Sequence, residues 1–100
     1  MEKIYSFSNS SPAYMGRTMT TVRLYDNRVE VEYVVTYTNG TPTVTNHFIW
    51  PIKNIQRADF IITVDKLEVK FNNSPVFNIP KTADTLSIVE KFMQLLKERL

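Results

Sequence analysis

The feature that most restricts this chain is its ending: a strongly amphipathic segment, Thr82 to Arg99, closes a sequence that otherwise reads as short strands and tight turns. On a helical wheel Leu86, Val89, Phe92, Met93, Leu96 and Leu100 form one stripe, widened by Ile88 and Leu95. Glu90, Gln94, Lys97 and Glu98 lie opposite. A lone helix after a series of strands must bury its apolar face against the sheet those strands build. A stripe this wide suits a helix pressed onto a sheet mouth, whereas a coiled coil would show a narrow seam. Either Thr82 or Asp84 can serve as N-cap, and Lys97 and Arg99 complement the dipole at the other end.

Ahead of the helix, alternation with a period of two marks the strands. In Arg28–Thr38, Val29, Val31, Tyr33, Val35 and Tyr37 take one face, and Arg28, Glu30, Glu32, Thr36 and Thr38 the other, with Val34 the only apolar intruder. In Thr18–Tyr25, Val22 and Leu24 alternate with Arg23 and Tyr25, and Asp26-Asn27 suits a two-residue hairpin turn. Asn39-Gly40-Thr41-Pro42 turns the chain into Thr43–Trp50, where Val44, Phe48 and Trp50 share a face and Pro51 ends the strand or sits at its edge. Phe60, Ile62 and Val64 alternate next. Asp65-Lys66 leads into Leu67, Val69 and Phe71, and Asn72-Asn73-Ser74-Pro75 into a short strand, Val76–Ile79. A weaker opening strand, Lys3–Phe7, brings the count to seven. Short connections predict an antiparallel meander. The exception is Ser8–Gly16, a polar stretch expected to be a mobile loop. Nothing divides residues 1–100, so one domain is expected.

Composition bears on function mainly by exclusion. The chain has no cysteine, hence no disulfide, thiol nucleophile or thiolate metal site. The opening Met1-Glu2-Lys3-Ile4-Tyr5-Ser6 lacks a continuous apolar run of signal-peptide type, and no apolar run is long enough to span a bilayer, so a cytoplasmic protein is expected. The net charge is only +2, and the basic residues alternate with acidic ones, as in Arg28 with Glu30 and Glu32 or Lys66 with Glu68. That pattern argues against nucleic acid, which wants a one-sided basic stripe.

No local pattern signals catalysis. His47, the only histidine, has no second histidine or carboxylate at local spacing, and reads as a partly exposed strand residue. Asp26, Asp59, Asp65 and Asp84 fall mainly at turns or the helix start, where aspartate is favoured for backbone reasons. The serines at 6, 8, 10 and 11 lack a nucleophile-elbow pattern, and two glycines cannot build a phosphate loop. The aromatic residues of the strands, Tyr33, Phe48, Trp50 and Phe71 among them, read as core rather than as a stacking platform. A non-enzyme without cofactor or metal is expected.

Seven strands in a meander followed by one capping helix resemble the plan of the pleckstrin-homology (PH) superfold. The stretch Trp50-Pro51-Ile52-Lys53-Asn54-Ile55-Gln56-Arg57 is similar to the connector between the two sheets of bacterial PH-like domains. The resemblance is one of element order and covers the whole chain. It implies a mainly β fold, a half-open barrel of two nearly orthogonal sheets whose end the helix plugs. It further implies a binding or assembly module whose partner is another protein or further copies of itself, accepted as a strand at an exposed sheet edge. The chain departs from the lipid-binding branch of the superfold, since its helix carries Phe92 where a tryptophan is usual. Lys3, Arg17 and Arg23 are the candidates for an anionic headgroup, with Tyr14 and Met15 as an apolar membrane tip. Arg17 and Arg23 lie roughly 20 Å apart along an extended strand, so one phosphate cannot engage both. An anionic membrane surface is therefore the alternative partner.

Overall fold

Strand pairing throughout is between sequence neighbours, and every pair is antiparallel. The computed structural model describes residues 3–13, 15–40 and 42–100. Among them seven strands form two sheets. The large sheet runs β1 (Lys3–Ala13), β2 (Gly16–Tyr25), β3 (Arg28–Tyr37), β4 (Val44–Pro51) in spatial order. A 3₁₀ turn at Ile52–Asn54 leads to the small sheet, β5 (Ala58–Ile62), β6 (Lys66–Phe71), β7 (Ser74–Pro80). Helix α1 (Ala83–Lys97) follows. The sheets do not close on one another, and the result is the half-open barrel with a terminal helix that the element order predicts.

The alternation read from the sequence is the alternation that buries. Val22, Leu24, Val29, Val31, Leu67, Val69 and Phe71 are fully buried, and the helix adds Val89, Phe92 and Leu96. Phe7 of β1, Phe77 of β7 and Phe92 of α1 meet edge to face, with centroids 5.7, 5.8 and 6.0 Å apart. These rings join both sheets to the helix. Thr82 caps the helix through a reciprocal box: its hydroxyl accepts from the Thr85 amide at 3.0 Å, and its own amide donates to Thr85 Oγ1 at 2.8 Å. Threonine thus fills the place usually held by glutamate or glutamine. Leu100, placed on the apolar stripe by its spacing, lies beyond the helix end and is half exposed.

Two turns have instructive chemistry. Asn72 and Asn73 both adopt positive φ, 52° and 67°, between the paired Phe71 and Ser74, as a tight hairpin with the twist of its strands requires. Asn72 also ties this hairpin to the sheet connector. Its Oδ1 accepts from the amides of Gln56 at 2.8 Å and Arg57 at 3.1 Å, and its Nδ2 donates to the Asn54 carbonyl at 2.8 Å. The second case corrects the expectation of a mobile loop over Ser8–Gly16. There β1 continues to Ala13, in register with β2 from Phe7↔Val22 to Ala13↔Gly16. Serine and asparagine have poor strand propensity, but an eleven-residue strand beside a ten-residue partner gains a full ladder of backbone bonds.

Candidate functional site

The four outer strands differ in how they guard their unpaired backbone. A free edge invites another chain, and proteins blunt edges with proline, bulges, charge, shortness or cover. Strand β1 carries Pro12 and a register shift between Lys3 and Tyr5. It also lies against the helix, where the Tyr5 hydroxyl donates to the Ile88 carbonyl at 3.2 Å. Strand β7 contains Pro75 and Pro80 and a bulge opposite Val69/Lys70. Strand β5 is only five residues long.

Strand β4 has none of these devices. Its eight residues pair with β3 in unbroken register from Arg28↔Pro51 to Val35↔Val44, and proline stands only at the last position. Its one titratable side chain is His47. Three apolar residues are exposed along it: Val44 at 45% and Phe48 at 52% on the inner face of the sheet, and Ile49 at 56% on the outer face. Inner-face residues are exposed here because the small sheet does not reach them. Trp50 still packs edge-on against Phe71 at 5.4 Å, and the ring of Phe48 lies edge-on to that of Tyr33 at 6.0 Å. On the small sheet, Ile62 is half exposed, and Val64 at the hairpin tip is 96% exposed. The aromatic reading of Phe48 as core is thus corrected.

Behind this edge, on the outer face, lies a charge cluster that local spacing did not announce. Glu30 accepts from Arg28 Nε at 2.6 Å and approaches Arg23 at 4.0 Å and His47 Nε2 at 3.6 Å, while Arg23 also reaches Glu32 at 3.8 Å. The hydrogen bond from Arg28 holds the Glu30 carboxyl below its usual range; burial opposes this, and the charges of Arg28, His47 and Arg23 assist. His47 therefore has a carboxylate neighbour after all, across the strand pair. The carboxylate is occupied by arginines and held ionised, which suits neutralisation of the face and not proton transfer. Among the described residues no group of three or more His, Asp or Glu side chains is placed to hold a metal.

The candidates for an anionic headgroup are spread along the β1–β2 pair, as the strand spacing of Arg17 and Arg23 requires. Lys3 faces Tyr25 at one end of the β1–β2 pair, and Arg17 faces Pro12 at the other. Arg23 lies between them and is engaged by Glu30 and Glu32. Arg17 donates through Nε to Ser10 Oγ at 3.0 Å. Met15, at φ 61° and half exposed, stands at the hairpin tip, where its carbonyl accepts from the Thr38 amide. Tyr14, the other tip candidate, lies outside the described residues. No helix among the described residues is long and apolar enough to cross a membrane.

Comparison of the chain with protein-family models, with curated proteins and with solved structures finds no match.

Proposed function

We propose that this chain is a non-catalytic binding or assembly module that accepts an extended strand, from a protein partner or a second copy, at the free edge of β4. The single observation that carries this reading is the contrast among edges. Three are blunted and one is long, regular and nearly uncharged, with apolar side chains exposed on both faces. An added strand would find backbone donors and acceptors along β4, Val44 and Phe48 on one face, and Ile49 on the other. The order of elements, which resembles that of bacterial PH-like domains, agrees with such a role.

Trp50, the only tryptophan, lies on β4 and makes the test direct. Its emission and the exchange of the β4 amides are followed against protein concentration, and against an added peptide with the sequence of β4 in which phenylalanine replaces tryptophan. Light scattering after size exclusion gives the mass in parallel. Slowed exchange confined to β4 under either condition, abolished by Ile49→Lys, supports the reading. Exchange unchanged under both refutes it.

The alternative partner, an anionic membrane surface, draws on the β1–β2 tip, where Met15 is exposed and Arg17 makes no ion pair among the described residues. Co-sedimentation with acidic vesicles at low salt, lost in Arg17→Glu, would favour that partner over a strand.

A further inference from the structure

The inner face of the large sheet changes character along its length. Over Phe7, Val22, Leu24, Val29 and Val31 it is apolar and buried, whereas farther along β1 and β2 it carries Asn9, Ser11, Thr18 and Thr20. Simple exposure to water accounts for polar residues that are exposed. It does not account for Thr20, which is 4% exposed, or for Asn9 Oδ1, which is buried without a hydrogen-bond partner. Asn9, Thr20 and Tyr33 stand side by side in one cross-strand row.

Two adjoining pockets lie between this polar half and the β6–β7 hairpin. One of about 350 Å³ is walled by Thr18, Thr20, Tyr33 and Glu68, and one of about 390 Å³ extends to Asp65 and Lys66. They share Ser11 and Asn78. The hydroxyls of Ser11, Thr18 and Thr20, the carboxylate of Glu68 and the carboxamide of Asn78 make no side-chain hydrogen bond or ion pair among the described residues. Glu68 and Asn78 are direct partners in the β6–β7 register. Five free polar groups thus converge on one cleft.

From this convergence we propose that the cleft binds a small polyhydroxylated ligand of the saccharide class. Serine and threonine hydroxyls both donate and accept, as sugar hydroxyls do. A carboxylate only accepts and a carboxamide does both, so the two side by side on adjacent strands, about 5 Å apart at Cβ, match neighbouring hydroxyls of a ring. Lys66 and Asp65, of opposite charge, stand together at the second pocket, beside the first pocket's Glu68. Each pocket falls at the small end of ligand sites, a size that seats one sugar ring, and two joined pockets suit a disaccharide.

Amide correlation spectra of the full chain, titrated to tens of millimolar with glucose, N-acetylglucosamine and maltose, test this, with glycerol as the control. The expected result is saturable shifts at Thr18, Thr20, Glu68 and Asn78 with at least one of the three sugars. Thr20→Val and Glu68→Gln should each weaken that binding about tenfold while the spectrum stays dispersed. Ser11→Ala, at a half-buried position, gives the same readout should Thr20→Val disturb the fold. Shifts that rise linearly and match those with glycerol, or saturable shifts that survive all three substitutions, would overturn the assignment.

Discussion

The bond from the Tyr33 hydroxyl to the Val76 carbonyl joins the two sheets where no strand pairing does. Val76 is the bulge residue of β7: Val69 pairs with Phe77 and Lys70 with Pro75, which leaves Val76 without a ladder partner while it is 6% exposed. Replacing Tyr33 by phenylalanine keeps the ring and deletes the donor, so a buried carbonyl loses its hydrogen bond. Such an orphaned group costs about 1–3 kcal/mol. In a domain of this size that lowers the midpoint of thermal unfolding by roughly 5–15 °C. A second signature is independent of the first. Burial pushes the Tyr33 phenol up to about 12, above the value of 10.0 for an exposed tyrosine. Its folded-state pKa is raised, so the contribution is fully present below the unfolded value and is lost as pH rises through the folded one. The native protein should therefore lose at most about 2–3 kcal/mol of stability between pH 10 and 12 on account of this group. Urea unfolding at neutral and alkaline pH, with the ultraviolet titration of tyrosinate, measures both effects. A Tyr33→Phe protein as stable as the native one, with the same alkaline loss, would refute the reasoning.

Asn72→Gly keeps the freedom for positive φ but removes three hydrogen bonds to the connector; urea unfolding should show a loss of about 2 kcal/mol. Asn72→Asp, which retains the acceptor, should lose less. Gly16→Ala places a methyl carbon 2.0 Å from the Thr36 carbonyl oxygen, so the end of the β1–β2 hairpin must separate from β3; amide exchange at Gly16, Arg17 and Tyr37 should accelerate. The Glu30 carboxyl, held low by its arginines, contributes stability present above the unfolded glutamate value and lost as pH falls through the folded one. Glu30→Gln should accordingly flatten the acid side of the stability profile below about pH 4.

Period-two alternation made β2, β3 and β6 legible because each has one buried face, and the helix stripe was legible for the same reason. The far half of β1 was not, since Ser8–Pro12 have turn-like composition and only the long-range ladder to β2 makes them a strand. Val44 and Phe48 look like core in sequence, and on the inner face they are; their exposure follows from where the small sheet stops, which no local pattern encodes. The Glu30–His47 approach depends on the β3–β4 register, and the Tyr33–Val76 bond on a bulge, so neither has a signature in residue spacing. The asparagine pair at 72 and 73 was legible as a turn, but its second role as an anchor for the connector was not.

The ring contacts of Phe7, Phe77 and Phe92 draw together residues from nearly the whole length of the chain. The strands precede the helix in chain order, so the barrel corner beneath Phe92 stays wet until the helix docks. Folding is therefore expected to be delayed and then cooperative, with no stable fragment short of the full set of elements. Throughout that interval the exposed Val44, Phe48 and Ile49 of β4 stand alongside an unfinished core. Chaperone dependence or aggregation should be set by how soon the helix docks.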